Sequence, residues 1–118
     1  SERYSGKKIW IGYLRKVKGW IKVDKGAETA IKEKGKSLLP SGIIESGKTF
    51  HPGDTVSLLN EEGEEIARGL VNYSSEVLEK ITGKKTSEVK KILGFLPYEE
   101  IIHRDNLLIF GKGGKKEK

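Results

Sequence analysis

From Gly19 to Gly63, glycine and proline recur so closely that only short strands and one small helix fit between them. Pro40 and Pro52 are the hardest stops, because proline has no N–H to donate and its ring collides with the preceding helical turn. In WIKVD (20–24), Ile21 and Val23 fall on one face of a strand. GAETAIKEKG then carries good helix formers, with Ala27, Ala30 and Ile31 at helical spacing, Asp24 as cap and Gly35 as left-handed terminator. Residues 37–42 read as a loop and Ile43-Ile44-Glu45 as a brief strand. Thr55 to Leu59 and 64–71 form a hairpin around Glu61-Glu62-Gly63. With a further strand expected at 9–14 (IWIGYL), the pattern predicts an α+β chain, mostly β. The expected fold is a barrel of short, mostly antiparallel strands and not a doubly wound sheet.

The last third changes character. Ser74-Ser75 is expected to cap a helix with Val77, Leu78 and Ile81 as its apolar stripe, closed by Gly83. Thr86 or Ser87 is expected to cap a second, with Val89, Ile92 and Leu93 buried and Gly94 at its end. A closing strand follows at 106–110. The tail GKGGKKEK (111–118) has no apolar residue, so disorder is expected there.

Charge is unevenly placed. Residues 1–50 hold 12 Lys and Arg against 5 Asp and Glu, and residues 51–118 hold 11 against 12. A basic half suits a polyanion such as RNA; a Lys-rich solubilising surface gives the same counts. Cysteine is absent, which excludes disulfides and thiolate metal sites, and no apolar run is long enough to span a bilayer. With no secretory signal, a cytoplasmic location is expected and no membrane partner. Methionine is absent even at position 1, so the chain is expected to be a piece of a longer one.

GIIESGKT (42–49) satisfies the P-loop pattern, and AIKEKGKS (30–37) comes close. A P-loop works because a helix beginning at the Lys lends its positive end to the phosphates. Here Phe50-His51-Pro52-Gly53 stops any such helix, and Ile43 and Ile44 suit a strand better than an open cradle. In the other match the helix precedes GKS and Pro40 follows it. Neither string is expected to hold a nucleotide. His51 and His103 make a poor metal set without Cys, and the serines show no nucleophile elbow. No catalytic residue and no metal site is expected.

The stretch GWIKVDKGAETAIKEKGKSLLPSGI resembles the PUA domain, a small RNA-binding pseudobarrel in which a strand ending "VD.GA" leads into a helix and an "SLLP.GI" loop. FHPGDTVSL and IARGLVNYSSE are similar to further strands of that family. SSEVLEKITGKKTSEVKKILGFLPYEEIIHRDNLLI is more particular. It looks like the C-terminal end of bacterial glutamate 5-kinases, with a helical insert before a final "HRD" strand, and KKIWIGYL resembles the segment joining their kinase and PUA domains. The resemblance covers about 7–110. It implies a linker and first strand at 1–15, a PUA pseudobarrel at 16–110 of short mixed or antiparallel strands with one small helix, and a two-helix insert at 74–94.

The resemblance also implies what the longer protein does. It would transfer the ATP γ-phosphoryl group to the side-chain carboxylate of L-glutamate, the first step of proline biosynthesis, with Mg²⁺ and under inhibition by proline. Those sites belong to an N-terminal kinase domain that is not here, so this chain is expected to need no cofactor and to be catalytically silent. Its expected partners are that kinase domain and sister subunits of a homo-oligomer, with RNA as the alternative ligand. For RNA, the resemblance carries over to Lys34, Gly35, Lys36, Ser37, Leu38, Leu39, Pro40 and Gly42, with Arg68 on a nearby strand. Lys34 and Lys36 would neutralise phosphates, Gly35 and Gly42 would allow close backbone approach, and Leu39 would face a base. Structural roles compete: Gly35 caps a helix, Leu38 suits the core, and Pro40-Ser41-Gly42 turns the chain. Trp10, Tyr13 and Trp20 are candidate protein-interface anchors, with barrel core as the rival role.

Overall fold

The computed structural model describes residue 11 and residues 15–111. The strand expected at 9–14 therefore lies outside the described residues apart from the buried Ile11, as does the tail beyond Gly111.

β1 (Val17–Val23) alternates as its sequence requires, sending Gly19, Ile21 and Val23 inward. α1 (Lys25–Lys34) starts where the Asp24 carboxylate accepts from Ala27 N at 2.8 Å. It ends at Gly35, whose φ of 64° is the left-handed conformation a side chain would disfavour. A 3-10 turn at Pro40–Gly42 leads into β2 (Ile43–Gly47), followed by β3 (Thr55–Leu59) and β4 (Glu65–Leu70). α2 (Ser75–Ile81) and α3 (Thr86–Leu93) come next, then a 3-10 turn at Arg104–Asn106 and β5 (Leu107–Ile109).

These strands make one five-stranded sheet in the order β2-β1-β3-β4-β5. Its ladders are antiparallel except β1 with β3, which is parallel, with Trp20 opposite Ser57 and Ile21 opposite Leu58. The sheet is thus mixed, and the chain is α+β. The edge strands β2 and β5 do not pair with each other. Instead Leu38 N donates to Ile102 O at 3.0 Å and Ile101 N to Leu38 O at 2.7 Å, a lone bridge tying the loop after α1 to the approach of β5. The core under the sheet gathers Ile21, Val23, Val56, Leu58 and Ile66 from strands, Ile31 from α1, and Leu78, Ile81 and Val89 from α2 and α3.

The P-loop-like string is β2 and the turn after it. No helix starts at Lys48, which sits at φ 72°, and Phe50 is delivered into the core. Phe50 fills the space a Gly19 side chain would need, since a Cβ there would stand 2.6 Å from the Phe50 ring. Ser75 holds the Phe50 backbone from both sides: Ser75 N donates to Phe50 O at 3.0 Å and Ser75 Oγ accepts from Phe50 N at 3.2 Å.

The insert departs from expectation in two details. α3 is capped at Lys85 and not at Thr86 or Ser87, because the Glu88 carboxylate reaches back to Lys85 N at 2.8 Å and sets where the helix begins. Ile92, expected inside, is 44% exposed, while Val89 is buried and Leu93 partly so. No helix among the described residues is long and apolar enough to cross a membrane.

Candidate functional site

Around the end of α1 the chain makes a series of adjoining hollows. Lys34 lies in the last turn of α1 and is exposed, as are Gly35 and Lys36. Lys36 N donates to Ala30 O at 3.0 Å, which turns the chain across the helix end. Ser37 and Leu39 follow with Leu38 between them, and the bridge to Ile102 decides their orientation: Leu38 points into the core at 1% exposure, leaving Leu39 43% exposed. Pro40 is buried. Leu38 and Pro40 are therefore wedges that hold the loop, and their side chains are not on offer to a ligand.

Gly42 closes the loop against α1. Its carbonyl accepts from Asp24 N at 2.9 Å, and a Cβ on it would come within 2.6 Å of the Ala27 Cβ. The result is a hollow of about 300 Å³ lined by Asp24, Gly26, Ala27, Ala30, Ser37, Leu39, Ser41 and Gly42. Small residues leave backbone and helix start accessible, Leu39 supplies an apolar wall, and Ser37 and Ser41 bring hydroxyls.

Ser37 and Leu39 also line a second hollow, with Lys36, Glu100, His103 and Arg104, and Lys36 and Arg104 share a third with Gly35, Asp105, Leu107 and Ile109. Ser37 Oγ accepts from Arg104 N at 2.7 Å, joining the two walls. His103 Nδ1 accepts from Asp105 N at 3.0 Å, so the neutral ring carries its proton on Nε2. Two cations beside an apolar wall and a shallow cavity suit a phosphate next to a flat ring. Nothing in the set is a nucleophile aligned with a base. Among the described residues no three His, Cys, Asp or Glu side chains gather as metal ligands would.

Arg68 sits elsewhere. Its Nε lies 2.6 Å from a Glu65 carboxylate oxygen, and its guanidinium stacks 5.6 Å from the centre of the Phe110 ring. Both contacts satisfy it within the fold. Arg104, in the HRD string, is the arginine that the fold brings to the loop. Sequence spacing gave no sign of it, because the contact joins Ser37 to a residue 67 positions away. Trp20 lies on the outer face of the sheet, half-buried, its indole so close over Gly47 that a Cβ there would be 2.4 Å away. With Val17, Lys18, Gly19, Lys48, Ser57 and Leu59 it lines a separate hollow of about 380 Å³. Trp10 and Tyr13 lie outside the described residues.

The PUA domain family model matches residues 19–93. The chain is 51% identical over 111 residues to the glutamate 5-kinase of Caldanaerobacter subterraneus subsp. tengcongensis, which is 94% of this chain and 30% of that protein. It is 45% identical over 107 residues to the glutamate 5-kinase of Thermus thermophilus, 91% of this chain and 29% of that protein. The chain thus spans about 30% of the length of the curated relatives it matches, at their C-terminal end. Among solved structures, a PUA domain of Aeropyrum pernix in complex with tartrate is similar at 36% identity and a TM-score of 0.51, over 53% of this chain and 34% of that one. With most of β1, all of β2 to β4, α1 and both insert helices inside the family match, this chain belongs to the PUA domain family, in the form found at the C-terminal end of glutamate 5-kinases.

Proposed function

We propose that the chain is the non-catalytic regulatory and assembly module of a cytoplasmic glutamate 5-kinase. A preceding kinase domain would hold ATP and Mg²⁺ and carry out phosphoryl transfer to glutamate. The observation that carries this reading is the near-complete match, at about half identity, to the C-terminal part of those enzymes, helical insert included. In it the PUA domain tunes how the enzyme responds to proline and assembles with sister subunits. The test is to remove the domain from the full-length enzyme. Phosphoryl transfer should survive while the proline concentration for half-inhibition shifts several-fold. An unchanged proline response and subunit number would reject the reading.

A second reading, binding of structured RNA, is favoured by the joined hollows where Lys36 and Arg104 flank the exposed Leu39. RNA affinity should then fall steeply with salt, because each phosphate contact releases a counterion. A Lys36→Glu, Arg104→Glu double variant should lose at least about tenfold in affinity at low salt. Titration by fluorescence anisotropy checks both, and no binding at low salt would remove this alternative.

A further inference from the structure

The insert leads into a stretch where three large apolar side chains are left exposed. Ile92, Phe95 and Tyr98 are 44%, 61% and 50% exposed, all within the short stretch 92–98, and Pro97 lies exposed between the last two. Scattered single apolar residues on a surface need no explanation; a contiguous run of this kind does.

The stretch is firmly held. Gly94 N donates to Lys90 O at 2.8 Å and ends α3, while Leu93 and Leu96 pack down against the core. The Tyr73 hydroxyl donates to Tyr98 O and accepts from Tyr98 N at 3.1 Å, and the two rings meet edge to face, 5.9 Å apart. Asn72 then fastens the following residues, its Nδ2 donating to Glu100 O at 2.9 Å and its backbone N to Ile101 O at 2.8 Å. Phe95 and Tyr98 are therefore presented by an anchored loop.

Where the stretch falls in the comparisons points to its occupant. The PUA family match ends at residue 93, so Phe95, Leu96, Pro97 and Tyr98 lie beyond it. The match to the Caldanaerobacter glutamate 5-kinase covers 111 of the 118 residues, which leaves only chain ends outside it and so includes 92–98. A surface that lies within the match to those enzymes and largely past the end of the family match fits a partner carried in the rest of those enzymes. They carry more than twice this chain's length in additional sequence. A covalently attached partner is present at an effective concentration of about millimolar, so a modest patch suffices to hold it.

We propose that 92–98 is the docking surface for the preceding domain of the same enzyme, with Phe95 and Tyr98 as anchors in an apolar recess of that domain. This rests on the reading of the chain as part of a glutamate 5-kinase.

Amide hydrogen exchange tests it, comparing the full-length enzyme with the 118-residue chain alone. Amides of 92–98 should exchange at least about tenfold more slowly in the full-length enzyme. An Ile92→Ser, Phe95→Ser double variant of that enzyme should lose this protection while amides of β1 and β3 keep theirs, because both side chains are exposed in the isolated fold. Equal exchange in the two chains would overturn the proposal, and so would protection in the isolated chain that grows with its own concentration, which would assign the surface to a second copy. The two readings fail separately. If removing the domain changes proline inhibition while 92–98 exchanges equally in both chains, only the docking surface is lost. Protection of 92–98 alongside an unchanged proline response and subunit number would sink only the regulatory role.

Discussion

Glu28 shows how a single buried carboxylate ties two elements together. It is 9% exposed on α1, with Oε2 3.2 Å from Asn60 Nδ2 and 3.5 Å from Lys32 Nζ. Asn60 in turn accepts from Glu62 N at 3.1 Å and Glu64 N at 2.9 Å through Oδ1, so the helix is fastened to the β3–β4 hairpin turn. Oε1 makes no hydrogen bond and has only the exposed Lys25 Nζ at 3.9 Å, a distance at which solvent weakens the attraction. The stabilising share therefore lies with Oε2. Glu28→Ala should lower stability by about 1–3 kcal/mol, since the largely buried Lys32 loses its partner and Asn60 Nδ2 is left with Glu64 Oε1 alone. Urea denaturation measures the loss, and Glu28→Gln, which keeps an acceptor for Asn60, should recover part of it. In the sequence Glu28 looked like any polar helix residue, because nothing local reveals that Asn60 will face it.

The helical insert depends on Tyr73, which stands just before α2 and reaches the loop after α3. Burial raises its phenol above the ordinary value of 10.0; the hydrogen bond its oxygen accepts from Tyr98 N opposes that shift, and the Tyr98 and Glu100 charges add to it. A raised folded pKa means that Tyr73 contributes full stability below pH 10 and loses it as pH climbs from there through the folded value. Thermal denaturation above pH 10 should show a steeper loss in the natural chain than in Tyr73→Phe. At neutral pH that variant should speed amide exchange across 95–101, because both bonds to Tyr98 are gone. The two insert helices were legible from caps and apolar spacing. The outward turn of Ile92 was not: α3 packs most closely on α2 and turns Val89 and Leu93 toward the core, which leaves Ile92 on its exposed side.

Leu38 ties the loop after α1 to the approach of β5. Its backbone bridges to Ile101 and Ile102, its side chain is 1% exposed, and the neighbouring Ser37 receives Arg104. Leu38→Ala should cost about 2–5 kcal/mol by leaving a cavity in the core. It should also speed exchange at Ile101 and Ile102, and equal exchange there would show that the bridge is incidental. The hollows beside the loop depend on the same closure, so RNA affinity, if present, should fall with it.

The positions of β1 to β5, both caps of α1, the breaks at Pro40 and Pro52 and the lack of a helix after Lys48 were legible in the residues. They are set by alternation, side-chain capping and allowed backbone angles, which act within a few positions. The resemblance in the quoted motifs carried the family. The parallel pairing of β1 with β3, the inward Leu38 beside the outward Leu39, and Arg104 in place of Arg68 at the loop came from packing. Each depends on which distant segments find one another once the core excludes water, and no short stretch of chain encodes that choice alone.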